Sequence, residues 1–171
     1  MSLISYALTT VSRFQNFSGI DSLSATEETV IENIINAVTN YIESYCGRRF
    51  KQTAYSNEEY DGPREEQIIL KNWPVDSTST FTVGYRNSAM NEDSWNTLNS
   101  EYYFIDYNAG IIYGAGRDKF TLARRRYRVT YTAGYDFNNT TTFLSDTAAG
   151  DLELATWRLV SNIWYSRKGR K

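Results

Sequence analysis

Residues 24–50 read SATEETVIENIINAVTNYIESYCGRRF, and this stretch sets the architecture around it. Ser24 and Glu27, three residues apart, have the spacing of a capping box, in which each side chain satisfies a free backbone N–H at a helix start. Apolar residues then recur at Ile31, Ile34, Ile35, Val38, Ile42 and Tyr45, the rhythm of a helix with one buried face. Glu27, Glu28, Glu32 and Glu43 are the polar complement, and the first two sit where the positive end of the helix dipole favours them. Gly47 supplies a left-handed stop, with Arg48 and Arg49 at the negative end. The spacing predicts a helix of roughly five to six turns.

Upstream, residues 2–17 place Leu3, Tyr6, Ala7, Val11 and Phe14 on one face and predict a short helix packed on the main one. After Gly47 the pattern changes to strands. Residues 53–60 predict a strand closed by Asp61-Gly62-Pro63, and 67–71 another, with Ile68 and Leu70 facing one way before Pro74 ends it. In residues 80–86, Phe81, Val83 and Tyr85 alternate with Thr82, Gly84 and Arg86. Residues 87–99 are polar and loop-like, interrupted by Trp95. Strands at 102–107 and 111–113 flank Asn108-Ala109-Gly110, a hairpin by its turn chemistry. Residues 126–132 put Tyr127, Val129 and Tyr131 on an inner side. Short strands at this spacing imply an antiparallel sheet.

The polar stretch 136–150 reads as a linker, followed by a helix over 151–165 and a basic tail over 166–171. In that helix Leu152, Ala155, Leu159 and Ile163 form one stripe, with Trp157, Val160 and Trp164 beside it. So wide an apolar surface needs cover on more than one side. The organisation is therefore one α+β domain over 1–171: helical over 2–47, β-rich over 50–135, then the linker, the last helix and the tail. N-terminal helices and a C-terminal helix pack with an antiparallel β-sheet.

Composition narrows the function. The chain has 171 residues, a net charge of −2, 22% charged and 41% hydrophobic residues, so nothing global points to nucleic acid. No apolar run is long enough for a membrane helix, and no basic-then-apolar leader opens the chain. A lone Cys46 provides no internal disulfide and fits a reducing compartment. Histidine is absent, which removes the commonest general base and metal ligand. Aromatics reach 15%, a surplus that suits half-wet protein interfaces.

Each local signal has a plainer counterpart. Glu58, Glu59, Asp61, Glu65 and Glu66 could flank a glycosidic bond, but a solvated acidic rim at a turn is far commoner. Cys46 as a nucleophile would need a base other than histidine, and a small packing residue is the simpler reading. Arg124, Arg125, Arg126, Arg128 and Lys119, near Tyr127 and Tyr131, could bind nucleic acid, protect a strand edge, or meet an acidic partner protein. Trp73 and Trp95 admit a carbohydrate-binding or adhesion module as the alternative function. Trp157 and Trp164, two turns apart, either close over the sheet or anchor a partner. No cofactor or metal motif occurs.

Six motifs taken in order resemble one family. They are YIESYCGRRF at 41–50, EEYDG at 58–62, LKNWPV at 70–75, DYNAG at 106–110, VTYTAGY at 129–135, and Asp151-Leu152 opening the last helix. Together they make residues 7 to the final helix similar to the phage head–tail connector, or neck and head-completion, proteins. Members often carry a short, proline-containing link before the last helix, whereas 136–150 is longer and has none.

The resemblance implies a non-enzymatic virion protein, made in the host cytoplasm and located in the neck at the portal vertex. It implies a homo-oligomeric ring of about twelve copies bound to the portal protein and to the next neck or tail protein. Double-stranded DNA passes through without sequence-specific binding, no membrane is involved, and no cofactor is needed. The portal or partner interface is expected at Trp157, Val160, Trp164, Arg167, Lys168 and Arg170. Glu58, Glu59, Asp61, Glu65 and Glu66 are expected at a subunit or tail contact.

Overall fold

The computed structural model describes residues 2–63, 66–86, 94–115, 120–137 and 147–169, of 147 and 148 the backbone alone. The architecture is α+β, and the chain divides into two compact units. One combines Met1–Lys51 with Tyr135–Lys171, and the other is the intervening Gln52–Gly134.

Among the described residues the discontinuous unit holds three helices: α1 (Val11–Ser18), α2 (Ala25–Cys46) and α3 (Thr147–Lys168). The α2 capping box is present: the Ser24 hydroxyl accepts from the Glu27 N–H at 3.3 Å, and Glu27 Oε2 accepts from the Ser24 N–H at 3.1 Å. Gly47 closes the helix at φ 67°, the left-handed region that glycine reaches without strain. Ile31, Ile35, Val38 and Ile42 bury one stripe against Leu8, Phe14, Val160 and Trp164. Each such side chain contributes about 1.5–3 kcal/mol by leaving water.

Three expectations change here. The helix expected over 2–17 begins only at Val11. Earlier backbone donors bond α2 side chains instead of a helical turn: Ile4 N–H to Asn36 Oδ1 at 3.1 Å, and Leu8 N–H to Thr39 Oγ1 at 3.3 Å. Thr10 then caps α1. The buried stripe of α2 stops at Ile42, leaving Tyr45 83% exposed and Cys46 on the surface rather than packed. Finally, α3 starts at Thr147, inside the expected linker, and continues to Lys168, into the expected basic tail. Buried Ala149 holds the early turn to the core despite Gly150. The last turn is held by Lys168 Nζ, 3.1 Å from Glu27 Oε1 and 4.8 Å from the Trp164 ring centroid. Residues 138–146 of the linker and 170–171 of the tail lie outside the described residues.

The continuous unit is built from β1 (Thr53–Gly62), β2 (Gln67–Ile69), β3 (Thr82–Tyr85), β4 (Asn96–Thr97), β5 (Tyr103–Asp106), β6 (Ile111–Gly114) and β7 (Ala123–Ala133). A single sheet was the expectation; pairing among the described residues forms two, ordered β1-β7-β3-β4 and β2-β6-β5, both antiparallel. Inner faces from both sheets share one core: Ile68, Leu70 and Ile112 with Val83, Tyr127, Val129 and Tyr131. The expected hairpin joins β5 to β6. Asp106 Oδ1 accepts from the Asn108 and Ala109 N–H groups at 3.0 and 2.9 Å. Gly110 follows at φ 66°, where an added Cβ would lie 2.9 Å from Trp73 Cβ.

β1 and β7 slip register twice, between Tyr55 and Glu58 and between Tyr60 and Gly62. Asn57 takes φ 53° at the first slip and its N–H bonds Thr130 Oγ1 at 3.0 Å. Arg125 takes φ 46° at the second, an unfavourable state for a long side chain, offset by its N–H bond to Asp61 Oδ1 at 2.6 Å. No described helix is long and apolar enough to cross a membrane.

Candidate functional site

The two faces of α3 differ in chemistry. Inward, Ala149, Glu153, Thr156, Val160 and Trp164 recur every three or four residues and are buried. The sequence reading placed Val160 and Trp164 at a partner interface. They lie instead in the chain's own core, Trp164 at 3% exposure, because their stripe is the one that meets α1 and α2. Trp157 is half-buried and stacks on Phe17 with ring centroids 4.8 Å apart.

A buried polar chain fixes the orientation of that inner face. The Trp157 Nε1–H donates to Thr9 Oγ1 at 2.8 Å, and the Thr9 hydroxyl donates to Glu153 Oε1 at 2.6 Å. Arg13 Nε lies 3.4 Å from the same oxygen, while its Nη1 donates to the Phe137 carbonyl at 2.6 Å. Burial pushes the Glu153 carboxyl above the ordinary range, and the Thr9 hydrogen bond and Arg13 charge only partly oppose this. Its Oε2 is buried without a partner among the described residues.

Outward, Leu159, Ile163 and Tyr165 are exposed, Ile163 at 46%, and run into exposed Arg167 and Lys168. A cleft of about 450 Å³ is lined by Asn162, Ile163, Ser166 and Arg167. A second of about 400 Å³, on the Tyr165 side, is lined by Phe17, Arg158, Ser161, Asn162, Tyr165 and Ser166. Leu159, Ile163 and Arg167, four apart, form an apolar ridge ending in positive charge, while Tyr165 lies across Asn162 and Ser166, which line both clefts. The ridge suits another protein better than a small molecule, which needs an enclosing pocket. Arg170 lies outside the described residues.

The acidic rim does not stand free in solvent. Glu58 turns inward, where Tyr60 and Tyr131 both donate to its Oε2 and Lys71 Nζ lies 3.2 Å from Oε1. Burial alone would raise its pKa. Those hydrogen bonds outweigh burial and hold it below the usual carboxylate range. The same burial and the bonds to Glu58 push the Tyr60 and Tyr131 hydroxyls well above theirs. Glu59 accepts from Arg125 Nε, and Asp61 from the Arg125 N–H. Glu66 is exposed, and Glu65 lies outside the described residues, as does Lys119 of the basic cluster.

Other surface aromatics were not read from the sequence as surface residues. Tyr41 and Tyr45 stack on α2 with centroids 6.5 Å apart, both exposed. On the small sheet exposed Phe104 stacks on Tyr113 at 4.9 Å, and Ile69 is also exposed. The signal was present at Ile69: alternation with Ile68 and Leu70 puts it on the opposite face. Among the described residues no three His, Cys, Asp or Glu side chains gather as metal ligands.

Over residues 7–170 the chain matches the family described as Head completion protein. Among curated proteins nothing matches it. A solved structure described as the neck of an empty GTA particle, computed with C6 symmetry, is similar in fold. Its TM-score is 0.56 at 13% identity, covering 95% of this chain and 81% of that one.

Proposed function

Since this chain belongs to the head completion protein family, we propose that it is a structural protein of the phage neck, forming a ring under the portal that joins capsid to tail and continues the DNA channel. The family match along nearly the whole chain carries this reading. The neck neighbour, whose assembly has six-fold symmetry, supports several copies side by side, and about twelve fits two per repeat of such an axis. The role is non-catalytic and takes no cofactor.

In this reading the outward ridge of α3 meets the portal: Leu159 and Ile163, with Tyr165 beside them, supply apolar contact, and exposed Arg167 steers acidic partner groups, Lys168 being engaged by Glu27. The next neck or tail protein docks on another face. The net charge of −2 leaves passing double-stranded DNA no strong electrostatic hold, so it moves through without sequence-specific binding. The protein is made in the host cytoplasm and ends in the virion.

The test is electron microscopy of lysates from the encoding phage with a stop codon at Glu28. Capsids without tails beside free tails are the expected result. Complete, normal virions would overturn the reading.

A further inference from the structure

β3 and β7 lie side by side, with Gly84 opposite Arg128 and the Arg86 N–H donating to the Arg126 carbonyl at 3.1 Å. Arg86 lies just past the end of β3, two residues beyond Gly84, and its backbone bond continues the pairing, so Gly84 and Arg86 share a face with Arg128. A Cβ at Gly84 would lie 2.9 Å from Arg128 Cγ and Nε, so the Arg128 side chain lies across the gap that glycine leaves. Both guanidinium groups reach one indole: Arg86 Cζ is 5.2 Å and Arg128 Cζ 4.8 Å from the Trp95 ring centroid.

Arg86 is only 6% exposed, and its Nε is buried without a hydrogen-bond partner. Among the described residues no carboxylate pairs with either guanidinium; the indole is the shared contact of both. Arginine keeps its charge at every accessible pH, so this is a fixed double positive charge set on a rigid sheet. Burying a charge without a counter-ion is costly, and a cation–π contact returns only part of that cost. Such a pair is organised in advance for a planar anion, which guanidinium groups bind in a bidentate way.

The depth of Arg86 decides the class of occupant. A duplex backbone is broad and meets exposed cations, whereas a side-chain carboxylate is slender enough to reach a nearly covered guanidinium. On this chain Glu27, Glu58, Glu59 and Asp61 are already engaged internally. Glu28 and Glu32 have no partner among the described residues and lie four apart on α2, so two carboxylates project from one helix face. Like charges at that spacing also destabilise an isolated helix.

We propose that Arg86, Arg128 and Trp95 form the receptor of a head-to-tail contact between copies of this chain, taking the Glu28 and Glu32 carboxylates of the next copy. The inference rests on the ring reading above. One contact pairs two cations that have no carboxylate partner among the described residues with two anions that repel each other. It uses two different surfaces of each copy, as a heterologous contact that closes into a ring must.

The test compares tailed-particle yield from phage carrying three variants, each checked for an unchanged far-UV circular dichroism spectrum. Arg128→Glu alone, and Glu28→Arg with Glu32→Arg, should each lower the yield at least tenfold. Combining all three substitutions should restore most of it. Normal yield from Arg128→Glu, in a phage whose stop-codon mutant lacks tails, overturns this contact and leaves the neck reading intact. Loss in all three, with no rescue, overturns the second copy as the source of the carboxylates. Normal virions from the stop-codon mutant overturn both.

Discussion

The Tyr131 hydroxyl donates to Glu58 Oε2 at 2.7 Å, joining residues 73 apart in sequence beneath the first register slip of β1 against β7. Tyr60 donates to the same oxygen, and the two tyrosine oxygens lie 3.1 Å apart. Removing one donor leaves a half-buried carboxylate poorly satisfied. Tyr131→Phe should therefore cost about 1.5–3 kcal/mol at pH 7, read from the urea midpoint at unchanged m.

Acid should weaken the fold through the same group. Glu58 has a lowered folded pKa, so its stabilisation is fully present above the ordinary unfolded value and is lost as pH falls through the folded one. Glu27, held down to about 2 by its bond from the Ser24 backbone and by Lys168, acts in the same direction. Glu58→Gln should flatten the stability decline below the ordinary carboxylate range. An unchanged slope would mean the cluster is not coupled to folding.

Glu153 predicts the opposite sign. Its pKa is raised, so the folded state prefers the protonated form, and the group costs stability as pH rises through that value. Glu153→Gln keeps an acceptor for Thr9 and removes the buried charge. Relative to wild type it should gain stability at pH 7 and lose that gain near pH 4, as measured by thermal unfolding at both.

Neighbouring positions on α3 separate folding from assembly. Trp164→Ala should cost roughly 3–5 kcal/mol, the range for emptying an aromatic site in a core. Ile163→Asp, one residue away on the exposed face, should stay within about 0.5 kcal/mol of wild type. Yet it should reduce tailed particles in the phage, because it places a charge on the proposed portal ridge.

The main helix was legible because its signals are local: a cap, a period and a stop within 24 residues of one another at most, as Ser24, Ile31 to Ile42 and Gly47 show. Hairpin β5–β6 was legible for the same reason, through Asp106 to Gly110. Residues 2–9 were not, since their backbone partners Asn36 and Thr39 lie about thirty residues away. Nor was the start of α3, where Gly150 argues against a helix and only tertiary cover of Ala149 argues for one. The inward turn of Val160 and Trp164 followed the same logic. Two apolar stripes side by side are visible in sequence, but which of them meets α1 and α2 is decided by packing. Arg86 was visible only as an alternating polar residue, and Trp95 as an interruption in a loop or a ring for stacking sugar, not as the partner of two arginines.

Because the helical unit is assembled from both ends of the chain, its core cannot close during synthesis until the last helix has left the ribosome. The β-rich unit is continuous and has all of its strands by Gly134. Until α3 arrives, Ile31, Ile35 and Val38 lack the cover that Val160 and Trp164 provide. A prematurely terminated product would therefore carry a finished sheet pair and an exposed greasy helix, which makes it a target for proteolysis.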